Sequence, residues 1–243
     1  ALLHKKCNRK VVYTVKMLVI GKRAVAAVIG IALCGAAAGV CAGVYAQTTE
    51  TYAMPVIVID AGHGGVDAGV YGVETNVKES DINLAIAMEL RGRFVNAGFE
   101  CVMTRSTAAG LYGNTSKGFK MRDMRRRRQI IEDCNADMVI SIHQNTCPLP
   151  SRRGSYVFFD ESSECSRQLA DYIQSELNDL SGGVETNTSL VGDYYMLKCT
   201  SSPSVIVECG FLSNAEDEQL LIDPDYQSDI AYAIFKGAVM YFS

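Results

Sequence analysis

Apolar and polar positions along this chain follow two rhythms. Short β-rich runs recur at VIVID (56–60), FECVMTR (99–105), MVISI (138–142), GSYVFF (154–159), YYMLK (194–198) and SVIVECGF (204–211). Each reads as a strand, the last with its entry set by Pro203. Longer segments with helical spacing lie between them. Ile82, Leu84, Ala85, Met88, Leu90 and Phe94 give residues 79–96 an apolar face, and Gly98 stops that helix. Further helices are expected over 122–134, 163–180 and 226–241. Strands alternating with helices predict an α/β fold, a mixed and mostly parallel twisted sheet with helices on both faces. No internal repeat is visible.

The front of the chain follows neither rhythm. Residues 24–46 carry no charge, and 23 mostly apolar residues are enough to cross a bilayer core of about 30 Å at about 1.5 Å per residue. Lys5, Lys6, Arg9, Lys10, Lys16, Lys22 and Arg23 precede them with no acidic residue, which predicts a cytoplasmic side for residues 1–23. The segment reads as a signal anchor, or as a signal peptide cut after Val44-Tyr45-Ala46. The anchor is favoured because the apolar run exceeds the roughly 7–15 residues of a signal-peptide core. The expected organisation is a basic leader (1–23), the anchor or signal segment (24–46), a polar linker (47–54) and one catalytic domain (55–243). The domain is then held outside the cytoplasm at the cell membrane, or secreted after cleavage near Ala46.

Charge sharpens this division. The leader takes seven of the 23 basic residues, so the other 16 face all 27 acidic ones. An acidic exported part lacks the basic footprint that nucleic-acid binding requires. Six of the nine cysteines follow residue 46. No CxxC pair occurs, and Cys101, Cys134 and Cys209 sit in apolar patterns, so the thiols read as mostly free.

The candidate chemistry gathers around histidine. Of only three histidines, His63 follows the first strand in a glycine-rich loop and His143 follows the strand at 138–142. In open α/β sheets ligands collect beyond the carboxyl ends of the strands. Glu79, at the start of the first long helix, can reach the same rim. Two histidines and a glutamate form a catalytic zinc shell with its fourth position left to water. Glu208, at the end of VIVE, is placed to act as a general base in metal-assisted amide hydrolysis. Asp60 and Asp67 could orient a ligand histidine or simply stabilise the loop. The run Arg125–Arg128 reads as a solvated helix face, with Arg127 the best candidate for contact with an anionic substrate. Two rival motifs fail: Asp67 stands where a dinucleotide fingerprint needs glycine, and Val66 where an HxxE metal motif needs glutamate.

Four motifs in order, DAGHGGVDAG (60–69), KES with Glu79, SIHQN (141–145) and PSVIVECGFLSN (203–214), closely resemble the zinc-dependent N-acetylmuramoyl-L-alanine amidases of bacterial cell walls, the amidase-3 family. The resemblance covers residues 55–243. It implies one Zn²⁺ per chain on His63, Glu79 and His143, with Glu208 catalytic. Asn145 matches an asparagine of the family, and Arg127 aligns with an arginine ahead of the SIH strand. The resemblance further implies peptidoglycan as substrate, cleaved between the lactyl group of N-acetylmuramic acid and L-Ala. Within the family, DYYMLK (193–198) looks most like the sporulation and germination branch that acts on spore cortex. The need for a protein activator stays open. A non-catalytic wall-binding protein on the same scaffold would be expected to have lost at least one of the four key residues, and all four are present.

Overall fold

The structure, a computed structural model, describes residues 54–181 and 186–243. The expected leader, the apolar segment and most of the linker lie outside the described residues. Among the described residues no helix is long and apolar enough to cross a membrane.

The strands are β1 (Val56–Ala61), β2 (Glu100–Met103), β3 (Met138–Asn145), β4 (Tyr156–Phe159), β5 (Leu190–Val191) and β6 (Ser204–Phe211). The helices are α1 (Glu79–Asn96), α2 (Phe119–Asp133), α3 (Glu164–Leu180), α4 (Ala215–Leu221) and α5 (Pro224–Tyr241). The sheet order is β2-β1-β3-β6-β4-β5. The β1, β2, β3 and β6 strands run parallel, while β4 pairs antiparallel to β6.

Side chains alternate across a strand, so each strand feeds two layers. On one face Ile57, Ile59, Met138, Ile140, Ile142, Val205 and Val207 pack under α1, α3 and α5. Ile86, Leu90 and Phe94 of α1 are fully buried there, each contributing about 1.5–3 kcal/mol. The α5 helix packs against both α1 and α3. On the other face Val58, Val139 and Ile206 meet Ile131 of α2 and the turn that carries Met196 and Leu197. This second layer is small and covers only part of its face.

Three elements depart from the sequence reading. Residues 194–198 are not a strand but lead into a 3₁₀ turn, Met196–Lys198. Met196 and Leu197 are both buried, and the Lys198 amide donates back to the Tyr195 carbonyl (3.1 Å), closing a turn where a strand would pair with a neighbour. The charge-rich α4 and the two-residue β5 were not anticipated. The α4 helix starts where the Asn214 side chain accepts a hydrogen bond from the Asp217 amide, a polar cap that an apolar pattern does not reveal.

Candidate active site

The site forms where β1, β3 and β6 deliver residues to the thinly covered face. Beyond β1, the loop turns at His63, whose φ is 59°. Its backbone is held by two buried arginines. Arg105 donates to the carbonyls of Ala61 (2.8 Å) and Gly62 (2.8 Å). Arg127 donates to those of Ala61 (2.6 Å) and His63 (2.6 Å). Three successive carbonyls are thus fixed by guanidinium groups.

Arg127 is itself 1% exposed and pairs with Asp60 (2.7 Å) and Asp123 (2.6 Å). Asp60 also accepts from the hydroxyls of Thr104 (2.6 Å) and Ser141 (2.6 Å). Burial alone would raise the Asp60 carboxyl, but Arg127 and the two hydroxyls hold it down at about 2. This corrects one expectation and decides another. Arg127 does not reach out toward an anionic substrate, because its donors are occupied beneath the loop. Of the two roles open to Asp60, it takes the loop-stabilising one: it neutralises Arg127 and bonds no histidine among the described residues. The arginine run is also not one solvated face: Arg127 points inward, while Arg128 is exposed and pairs with Glu132 (2.7 Å).

Asp67 does contact a histidine. Its Oδ2 lies 3.0 Å from His63 Nδ1, and its Oδ1 takes Lys120 Nζ at 2.8 Å. That leaves His63 Nε2 facing Glu79 Oε1 at 3.3 Å. His143 Nδ1 approaches the same oxygen at 2.9 Å. Glu79, the first residue of α1, is 2% exposed. Its carboxylate accepts from the amides of Val70 (2.9 Å) and Gln144 (3.2 Å) and from Asn83 Nδ2 (3.2 Å). Burial opposes its ionisation, but the hydrogen bonds from His143 and His63 and their charges hold it well below the usual carboxylate range.

Two glycines make room for this group. A Cβ on Gly62 would lie 2.3–2.7 Å from the His143 ring, and one on Gly69 (φ 72°) would lie 2.2 Å from Glu79 Oε2. His63, Glu79 and His143 form a donor set whose ligand atoms lie within 4.8 Å of one another. Around a tetrahedral ion with bonds of about 2.0–2.1 Å, neighbouring donors are about 3.3 Å apart. Spacings of 2.9 and 3.3 Å and this N,N,O chemistry therefore fit a divalent ion such as zinc.

Glu208 is the register partner of His143 across β3 and β6, so both leave the sheet on the same face. Its Oε2 is buried with no hydrogen-bond partner among the described residues. Burial, with the nearby Glu79 charge adding to it and the two histidines opposing, pushes its carboxyl up to about 7. All four residues border one cavity of about 410 Å³, with Asn145 and Tyr194 also in its wall. The Asn145 side chain accepts from the Thr146 amide (2.8 Å).

Four contributors had not been singled out from the sequence: Arg105, Asn83, Lys120 and Tyr194. Arg105 had a readable signal, a basic residue ending an alternating strand. Lys120 and Tyr194 depend on contacts distant in the chain, and Asn83 joins an i,i+4 bond to Glu79 with longer-range bonds to Gly62 and Gln144.

Comparison with known proteins agrees with the geometry. The family model described as N-acetylmuramoyl-L-alanine amidase matches residues 57–239. The chain is 31% identical over 191 residues to the germination-specific N-acetylmuramoyl-L-alanine amidase of Bacillus subtilis, covering 77% of this chain and 80% of that protein. It is similar to the CwlD amidase from Clostridioides difficile, solved in complex with the GerS lipoprotein, with 35% identity, a TM-score of 0.74, and 77% and 98% of the two chains covered. It is also similar to the catalytic domain of CwlV from Bacillus (Paenibacillus) polymyxa, with 28% identity, a TM-score of 0.68 and the same coverages.

Proposed function

The chain belongs to the N-acetylmuramoyl-L-alanine amidase (Amidase_3) family of cell-wall hydrolases, and from that premise we propose how its residues carry the reaction. His63, Glu79 and His143 hold one zinc ion, and Glu208 is the general base and acid. The observation that carries this reading is the placement, in one cavity, of a three-donor set beside a carboxylate whose buried oxygen has no hydrogen-bond partner among the described residues.

A zinc ion held there supplies Lewis acidity, polarising a carbonyl and making water more acidic. Glu208 takes a proton from the attacking water as the new C–O bond forms at the lactyl carbonyl. It returns that proton to the L-Ala nitrogen as the C–N bond breaks, and the proton left on the new carboxyl passes to the amine, leaving a lactyl carboxylate and an ammonium group. Burial raises the Glu208 carboxyl above the ordinary carboxylate range while the positive charge of a bound ion would lower it, a balance that suits a group that both takes and returns a proton. Asp67 accepts from His63 Nδ1, which fixes the ring and its tautomer. The Val70 and Gln144 amides and Asn83 keep the Glu79 carboxylate in place.

We place the substrate in spore cortex peptidoglycan. The 31% identity to a germination-specific amidase supports this. The uncharged segment 24–46 supports a membrane-anchored enzyme with its catalytic domain outside the cytoplasm, or one released after cleavage near Ala46. Similarity to an amidase solved with a lipoprotein supports a protein partner of that kind.

Digesting purified cortex and vegetative peptidoglycan and analysing the products by mass spectrometry tests the reading. Peptide-free muramoyl residues and new L-Ala amino ends are expected, with cortex the better substrate. Cleavage at a glycosidic or peptide–peptide bond instead would overturn it. Equal rates on both walls would remove the cortex assignment.

A further inference from the structure

The wall of the cavity beside Glu208 contains an aromatic ring that the mechanism does not use. Tyr194 is 40% exposed. Among the described residues its hydroxyl makes no hydrogen bond, whereas neighbouring Tyr195 is tied to Arg128. The Tyr194 ring nevertheless has a fixed seat. It lies across Gly192, where a Cβ would sit 2.6 Å from both Cδ2 and Cε2. Gly192 has no positive φ there, so the requirement for glycine is one of space. The ring also meets Phe158 edge to face, with centroids 5.4 Å apart and planes at 74°.

The chain on either side is anchored. Leu190 and Val191 pair with Phe158 and Phe159 at the sheet edge, and the Gly192 amide donates to the Phe159 carbonyl (2.9 Å). Beyond Tyr195, Met196 and Leu197 are buried beneath the sheet. Tyr194 is therefore suspended between two fixed points, with a side of its ring turned to the cavity. Tyr194 and Glu208 line the same cavity, and burial, then the Glu208 charge, push the phenol up, so it keeps its proton as a donor.

We propose that Tyr194 is a stacking platform for the muramoyl pyranose ring, held in place by Gly192, and that it makes the enzyme select glycan-bearing substrates. The inference rests on the amidase reading. Only the lactyl ether separates the scissile carbonyl from the sugar, so the pyranose must lie against a wall of this cavity. A sugar presents a flat C–H face and a rim of hydroxyls, matching an exposed aromatic face with one phenolic donor at its edge. The stem peptide begins with a small side chain and offers no comparable flat surface.

The test uses two substrates with the same scissile amide: an oligosaccharide carrying stem peptides, and the sugar-free N-lactoyl-peptide. Wild-type enzyme should show a lower KM for the glycan-bearing one. Tyr194→Ala should erase that preference, raising KM for the glycan substrate roughly tenfold, the loss expected for one stacking face. Tyr194→Phe should recover most of the preference, and Gly192→Ala, which displaces the ring, should weaken it. Equal losses on both substrates, or no change on either, would overturn the platform.

A titration of peptide-free oligosaccharide followed by NMR separates this idea from the amidase reading. Binding that weakens in Tyr194→Ala supports the platform even if the wild-type enzyme cleaves neither substrate, a result that would remove the amidase reading alone. Amide cleavage by an enzyme whose glycan binding ignores Tyr194 would remove the platform alone.

Discussion

The two faces of the sheet are made by the same strands and serve different ends. One is an unbroken apolar layer under three helices, built from Ile57, Ile59, Ile140, Ile142 and Val207. The alternate positions of those strands, Val58, Asp60, Ser141, His143 and Glu208, start apolar and turn polar toward the strand ends. Stability is concentrated on the thick face, which leaves the thin face free to hold buried charge. The separation is not complete, because the Asp60–Arg127 pair supports both the fold and the His63 loop.

The largest expected effect lies on the thin face. Glu208→Gln should lower the amidase rate by about 10²–10⁴ while bound metal and melting temperature stay at wild-type values. A fall in melting temperature would break the division, by making the thin face structural there as well. The converse belongs to the thick face. Phe94→Ala should cost about 3–5 kcal/mol in chemical denaturation, with kcat/KM unchanged under conditions where the protein is folded.

The Asp60–Arg127 pair should register on both scales. The folded Asp60 carboxyl lies at about 2 against an ordinary 3.8, a difference of roughly 2 kcal/mol in favour of the folded state. Because its pKa is depressed on folding, this contribution is present above about pH 4 and is lost as pH falls toward 2. Asp60→Asn should therefore be less stable near neutrality and should lose less stability between pH 4 and 2. It should also bind zinc more weakly in a chelator competition, since Arg127 holds the His63 carbonyl. Normal zinc affinity in that variant would show that the pair serves the fold alone. The smallest effect is expected from Arg167→Ala. Its exposed ion pair with Asp171 should leave both melting temperature and rate unchanged.

Much of the thick face could be read from the sequence because its signal is periodic and local. The first helix and the strand over 204–211 were anticipated with the bounds the structure gives. The thin face was legible where chemistry sits in a motif. His63, Glu79, His143 and Glu208 were each placed at an element boundary, and the structure gathers all four. It hid what depends on side chains meeting across the chain. The strand at 138–142 in fact continues to Asn145; polar His143 and Gln144 lie beyond the apolar run, yet the first meets Glu79 and the second bonds Asn83. Arg127 finds Asp60 67 positions away, a separation at which no spacing rule applies. Its i,i+4 relation to Asp123 was the one local hint that it turns inward.

The left-handed turn at His63 opposes two kinds of selection. A β-carbon in that conformation is disfavoured by about 1 kcal/mol or more, a penalty that glycine escapes. Compared without bound metal, His63→Gly is therefore expected to withstand heat better than its parent while cleaving nothing. A laboratory evolution that rewarded thermal endurance in a chelating medium alone, where zinc adds no stability, would be drawn to this position and would end with a durable, inactive scaffold. Keeping histidine there requires selection on catalysis in every round.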